Sequence, residues 1–513
     1  MTLAPYAPVG RRAAAFWWML AAGAILLVGF GVRAAYYRGP YFISDEDITV
    51  QVVGHMRHSG DWDTNWAKAD LSPDLKYDQY NFSSHLYATY FFYRLVKLVP
   101  GLEAWRSADE GLGVYRFFSV LLAALVVWQT LRLAQLAGGR AVALGAGVLT
   151  AVATQLVQDA HYIRPDAFTT ALALAAVALS WPRAKLRAGL VVGAAFVIGL
   201  LLACKVSMLL LAWLPLVPVA VAWRERKARW IAFALFPLAL AAGFATGAPG
   251  AVAHPGQFFS GVQHLMTQYG GLHPPHSHLH GGPVADILAS FFSATLGWPL
   301  LACAAFGTGV LAWQRRWAEL ALLAGPVALF AGYFATKSVF FERNLSHVLP
   351  LLFILAALGV AWIAEMIAAR TRVPGPIVAA AIIALLAVQP AILTARLVGL
   401  EFSGRGAERS SKIEVALRQR YPEAAWLQST LLNTSELDPV AAHFQSSRAP
   451  LLLRVTDYHD EWTAACLEEL SRRFEAQLVA DSDGSFPGVP TSTLVVYHSW
   501  HDRYYLVTKM RTK

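Results

Sequence analysis

Long apolar runs recur along this chain up to about residue 397, and most are long enough to cross a bilayer core of about 30 Å as helices. They fall at 13–34, 113–136, 142–158, 166–181, 188–204, 206–223, 230–248, 284–311, 318–336, 347–367 and 375–397, about eleven spans in all. Hydrophobic residues make up 56% of the 513 and charged residues only 15%, which fixes the class as a polytopic, mainly α integral membrane protein. The net charge of +9 does not point to nucleic acid, because the basic residues sit in short loops between the runs. These loops are Arg11-Arg12, Arg140, Arg183 to Arg187, Arg224 to Arg229, Arg315-Arg316 and Arg370 to Arg372. Placing all of them in the cytoplasm gives a consistent alternation, with the N-terminus inside and the C-terminus outside. The first span is too long for a signal-peptide core and shows no convincing cleavage site.

On this topology the chain divides into a transmembrane module over 1–397, with large outer loops at about 35–112 and 249–283, and an extracytoplasmic α/β domain over 398–513. The first loop carries an apolar patch, Leu86 to Val99, too short to span and suited to the membrane interface. In the last domain Leu451 to Val455, Ser492 to Tyr497 and Arg503 to Thr508 read as strands, and Ser411 to Arg420 and Glu461 to Leu478 as helices. Asp457, His459, Asp460 and Trp462 follow one of these strands and suit either an acceptor-steering loop or a solvated one. The three cysteines imply no disulfide framework.

Chemistry is expected where charge meets lipid. Tyr41-Phe-Ile-Ser-Asp-Glu-Asp-Ile48 places Asp45, Glu46 and Asp47 just beyond the first span, and acidic groups there are costly enough to mark a functional site. The same string also reads as a helix start, with Ser44 as N-cap, acids in the first turn, and an apolar face of Ile48, Val52, Val53 and Met56. Asp166, Lys205, Arg343 and Arg164 are the other charges at the outer edge. A snorkelling or salt-bridged role competes for each of them, least for Lys205, whose surroundings are almost wholly apolar. Acids and bases gathered at one membrane face suit a reaction in which a hydroxyl loses a proton and a phosphate departs. In the second outer loop His276, His278 and His280 are close enough to suit a metal, while the two prolines and the lack of a cysteine partner suit a plain extended loop. A divalent metal is thus optional rather than required.

Taken in order, these features resemble the GT-C membrane glycosyltransferases, and most nearly the branch of the protein O-mannosyltransferases and the lipid A aminoarabinose transferases. Asp45-Glu46 resembles that family's acidic pair, and Gly54-His-Met-Arg-His-Ser-Gly-Asp-Trp62 its helix ending in Gly-Asp-Trp. Tyr80 to Tyr87 stands in place of a Pro-Pro-Leu stretch without its prolines, and Tyr115-Arg116 resembles the arginine that opens the second span. Ile163-Arg-Pro-Asp166 resembles the second acidic position, Cys204-Lys205 a Thr-Lys, and Arg343 to Pro350 an Arg-Tyr-x-Leu-Pro segment. The resemblance covers about residues 10 to 400 and implies a GT-C-like fold with a polyprenyl-phosphate-linked sugar as donor and inversion at the anomeric carbon. It implies Asp45 as general base, Glu46 and Asp166 shaping the acceptor site, and Lys205 and Arg343, with Arg164 beside them, holding the donor phosphate. The acceptor is a glycan, a lipid or a protein, no cofactor is required, and the site faces the periplasm or exterior of an inner (plasma) membrane. A lipid-linked saccharide flippase or secondary transporter is the competing reading, but transporters keep ionisable groups near the bilayer midplane.

Overall fold

The computed structural model describes residues 11–39, 44–73, 75–222, 224–272, 296–337, 341–429, 434–456, 460–482 and 502–511, with 288 and 292 besides. The chain is a mainly α, polytopic membrane protein with an extramembrane region. The helices that matter below are α1 (Arg11–Ala34), α2 (Ser44–Ser59), α3 (Ser83–Lys97), α4 (Leu112–Ala151), α5 (Thr154–His161), α6 (Pro165–Leu179) and α7 (Ala188–Leu202). They are followed by α8 (Arg226–Gly247), α9 (Pro255–Thr267), α10 (Trp298–Trp313), α11 (Trp317–Ala335), α12 (Leu349–Ala368) and α13 (Gly375–Arg396).

Among the described residues six helices are long and apolar enough to cross a membrane, and three shorter apolar helices, α6, α7 and α10, and the helical stretch Val206–Val221 accompany them. The shortfall from about eleven spans has local causes. The segments expected at 113–136 and 142–158 form one 40-residue helix, α4, broken only at Gly139, where φ is 84°. The break leaves a long stretch before Gly139, enough to cross a bilayer core, and only about 18 Å of helix after it at roughly 1.5 Å per residue. The rest of the run expected at 142–158 belongs to a separate short helix, α5. The run at 206–223 is not one helix either: a 3-10 turn, Val206–Leu211, precedes the short helix Leu216–Val221, bounded by Pro215 and containing Pro218. Most of 284–297 lies outside the described residues.

The centre of the bundle is α12. Every residue from Asn344 to Val360 is buried, as expected of a helix apolar all round and enclosed by others. Glycines let its neighbours come close: a Cβ at Gly307 of α10 would meet the Leu355 carbonyl, and one at Gly359 the Cys303 carbonyl. Helices α7 and α8 cross in the same way at Gly199 and Gly243.

After α13 an irregular turn, Leu397–Phe402, leads into α14 (Arg405–Arg420) and a four-stranded sheet, with α15 (Asp438–Ser446) and α16 (Asp460–Arg473) between strands. Strands β1 (Ala425–Ser429), β2 (Leu451–Thr456), β3 (Phe474–Asp481) and β4 (Asp502–Met510) take the order β1-β2-β4-β3. Strands β1 and β2 are parallel, and the other two pairings antiparallel. Two sequence expectations need correcting. Strand β1 was not anticipated, and the helix expected to reach Leu478 stops at Arg473, where β3 begins without a loop. Phe474 is fully buried and Glu475 exposed, so burial switches there to the alternation of a strand. The expected strand Ser492 to Tyr497 lies outside the described residues, as do Asp457 and His459 and the side chains of Asp460 and Trp462. Cys204, Cys303 and Cys466 are free thiols.

Candidate active site

Helix α2 starts at Ser44, so the acidic string does open a helix, and Asp45 stands in its first turn; the Asp45 side chain lies outside the described residues. The expected apolar face is present, with Ile48, Val52, Val53 and Met56 all buried. The helix ends where Gly60 takes a φ of 74°, the left-handed conformation that glycine adopts most cheaply after a helix. Beyond it, Lys68 Nζ donates to Asp61 at 2.9 Å and stands 3.0 Å from Asp63. The hydrogen bond from Lys68 holds the Asp61 carboxyl below its usual range.

Glu46 is fully buried and taken up by Arg116: Nε donates to Oε1 at 2.8 Å and Nη2 to Oε2 at 2.6 Å. Oε1 also accepts the Ile163 N–H at 3.0 Å, and Arg116 Nη1 donates to the Gly39 carbonyl at 3.1 Å. A bidentate pair of this kind fixes orientation as well as charge. Glu46 therefore ties α2 to α4 and to the α5–α6 corner, with both oxygens engaged, and Arg116 is part of the same anchor.

The α5–α6 corner carries the second acidic group. Arg164 is extended before Pro165, and Pro165 occupies the first turn of α6, as proline prefers. Asp166 follows in that turn, where the helix dipole favours a carboxylate. Its Oδ1 accepts from Lys205 Nζ at 2.6 Å, and its Oδ2 lies 3.4 Å from Arg164 Nε. Arg164 also reaches Asp159 at 3.5 Å and covers the Tyr162 ring at 4.9 Å. Asp159 in turn accepts from Gln155 at 2.8 Å. Two buried histidines, His85 and His347, stand within electrostatic reach of Asp166 and Lys205.

Lys205 occupies an extended residue between α7 and the Val206–Leu211 turn. The Cys204 carbonyl beside it accepts the Phe82 N–H at 2.8 Å, joining this corner to the start of α3. Phe82 holds a φ of 69°, a left-handed conformation that costs an L-residue about 1–2 kcal/mol and persists only where neighbours enforce it. Arg343 lies just before α12, its guanidinium 4.2 Å from the Phe341 ring centroid.

Lys205 and Arg343 meet across a cavity of about 330 Å³, and Lys337 joins them there. Leu209, Leu210, Val262, Leu265, Met266 and Phe334 form apolar walls, while Asn81, Tyr269 and Tyr333 add polar atoms. Lys337 Nζ stands 4.7 Å from the Tyr333 ring centroid, and Asn344 donates to the Tyr269 hydroxyl at 3.4 Å. The lining thus combines three cationic side chains with a largely apolar surface. Asp166 backs the cavity through Lys205; Arg164 does not line it and sits behind Asp166, 3% exposed. Reading the sequence missed Lys337, Tyr269 and Phe82. Lys337 had a signal, a lone cation closing the apolar run at 318–336, whereas the strain at Phe82 had none.

His276, His278 and His280 lie outside the described residues. Among the described residues, no group of three or more His, Cys, Asp or Glu is placed to hold a metal ion.

No protein-family model matches the sequence, and neither does any curated protein. Solved structures do match. ArnT from Cupriavidus metallidurans bound to undecaprenyl phosphate aligns with a TM-score of 0.53 at 15% identity, over 96% of this chain and 98% of that one. The same protein in the apo state gives 0.50 at 14% identity, with the same coverage. At such identity the likeness concerns architecture: this chain is a polytopic membrane protein with a fold like that of ArnT.

Proposed function

We propose that this protein is an inverting glycosyltransferase that moves a sugar from a polyprenyl-phosphate donor to an acceptor hydroxyl at the outer membrane face. The observation that carries the reading is the cavity, whose largely apolar lining includes the three cations Lys205, Lys337 and Arg343. A polyprenyl phosphate has the complementary build, an anionic head on a hydrocarbon chain. The ionisable groups sit at helix ends: Asp166 opens α6, Lys205 follows α7 and Arg343 precedes α12. That placement suits an interfacial enzyme better than a transporter with charges at the midplane. The fold shared with ArnT, solved with undecaprenyl phosphate, supports the same reading.

In the proposed reaction the acceptor oxygen bonds to the anomeric carbon as the bond from that carbon to the phosphate oxygen breaks. Asp45 takes the hydroxyl proton. The departing phosphate gains negative charge, which Lys205, Arg343 and Lys337 offset; such stabilisation acts most where water is excluded. Asp166 orients Lys205 toward the phosphate, and Glu46 fixes the helix that carries Asp45. The sugar, and whether the acceptor is a glycan, a lipid or a protein, are set by groups facing the acceptor side.

Lys205→Ala is expected to weaken undecaprenyl phosphate binding by about 1.5–3 kcal/mol, the worth of a charge-assisted contact to a partly desolvated group. Titration of the purified variant by native mass spectrometry checks this, and wild-type affinity would make Lys205 purely structural. On the proposed topology the C-terminal domain lies outside, where it steers the acceptor. Alkaline phosphatase fused after Lys513 should therefore be active. An inactive but well-expressed fusion, with a fluorescent cytoplasmic reporter at the same site, places the domain on the wrong side to meet the acceptor.

A further inference from the structure

One imidazole joins three parts of this molecule that are distant in sequence. His161 ends α5 and is fully buried. Its Nδ1 stands 2.8 Å from the Val157 carbonyl oxygen in the same helix, and its Nε2 stands 2.8 Å from the Ala35 carbonyl oxygen just past α1. On its face lies Phe402, with ring centroids 3.8 Å apart and planes 9° from parallel. Phe402 closes the turn between the last membrane helix and the C-terminal domain, and is itself fully buried. Tyr162 meets the same ring edge-on at 5.7 Å.

What these contacts connect matters for the site. Past Ala35 the chain runs on to Asp45 and Glu46. Past Tyr162 it runs on to Ile163, whose N–H is held by Glu46, and then to Arg164 and Asp166. The two acidic stations thus meet at a corner that the stem of the C-terminal domain packs against. Neither His161 nor Phe402 lines the cationic cavity.

We propose that the Phe402–His161 stack is a positioning contact, through which the C-terminal domain sets the first turn of α2 relative to the Asp159–Arg164–Asp166 array. A flat aromatic contact specifies both distance and tilt, which an aliphatic contact of similar volume does not. The stem of the domain therefore determines where the acidic helix start stands over the α5–α6 corner. The consequence for turnover rests on the function proposed above; the consequence for local structure does not.

The test uses the full chain in detergent and compares Phe402→Leu, which keeps apolar bulk but loses the ring, with Phe402→Tyr, which keeps it. Amide hydrogen exchange followed by mass spectrometry should rise about tenfold in the Leu variant over 154–164 and 31–39, and stay near wild type in the Tyr variant. His161→Ala should raise exchange in the same two segments at least as much, and the double variant should add little to His161→Ala, as expected when the stack is already lost. Undecaprenyl phosphate should bind all of them as it binds wild type. With a lipid-linked sugar that the wild type consumes, the Leu variant should lose kcat at unchanged donor KM. Unchanged exchange in Phe402→Leu overturns the proposal, and so does a rise spread evenly over all helices, additivity in the double variant, or a change confined to donor KM. If the wild type consumes no lipid-linked sugar the proposed reaction fails, while the exchange comparison still decides the role of the stack.

Discussion

Asp45→Asn is expected to lower transfer by about 10²- to 10⁴-fold, the usual contribution of a positioned general base, while leaving the fold and undecaprenyl phosphate binding in place. Asparagine matches the carboxylate in shape but cannot take the acceptor proton. Helix α2 should not move in the variant, because it is held by the Glu46–Arg116 pair and by its buried face of Ile48, Val52, Val53 and Met56. A loss of turnover with unchanged thermal unfolding and unchanged lipid binding thus isolates the chemical step. Wild-type turnover in purified Asp45→Asn ends the assignment.

The second large effect is structural. Arg116→Met removes the guanidinium and leaves the Glu46 carboxylate in a site where neither partner has more than 2% of its side chain exposed. Breaking a buried pair from one side costs about 3–5 kcal/mol, because the remaining charge keeps neither water nor an opposite charge. Glu46→Ala should cost about as much, since it strands Arg116 and the Ile163 N–H together. Replacing both residues by apolar ones of similar volume should recover most of the stability. It should not recover activity, since the polar ties that set the start of α2 against the α5–α6 corner are then gone. Thermal unfolding in detergent measures all three. If either single variant loses less than about 1 kcal/mol, the level of an exposed pair, the anchor is not what the geometry implies.

Several features of this site were legible in the residues. Ser44 followed by three acids announced a helix start, and the period of Ile48, Val52, Val53 and Met56 announced its buried face. Lys205 stood out as a lone ammonium in apolar surroundings. What stayed hidden was who pairs with whom. Glu46 meets Arg116 from 70 residues away and Asp166 meets Lys205 across 39, and periodicity reports only neighbours along one element. As a result, the sequence offered Glu46 as a catalytic group and Arg164 as a phosphate ligand without showing that Glu46 pairs with Arg116 or that Arg164 lies outside the cavity lining, beside Asp166. The same blindness to tertiary context hid the switch from helix to strand at Phe474, whereas the break at Gly139 falls in the gap expected between 136 and 142. In the GT-C resemblance, order along the chain and expected membrane topology carried the argument, rather than any one motif.

The most direct test of the cationic cavity compares undecaprenyl phosphate with undecaprenol on the wild-type protein in lipid nanodiscs. Two charge-assisted contacts to the head group should make the phosphate bind at least about tenfold more tightly. The combined Lys205→Ala and Arg343→Ala variant should erase that preference while keeping affinity for the hydrocarbon. Equal binding of the two lipids to wild type, or a preference that survives in the double variant, would contradict a phosphate seat at this position.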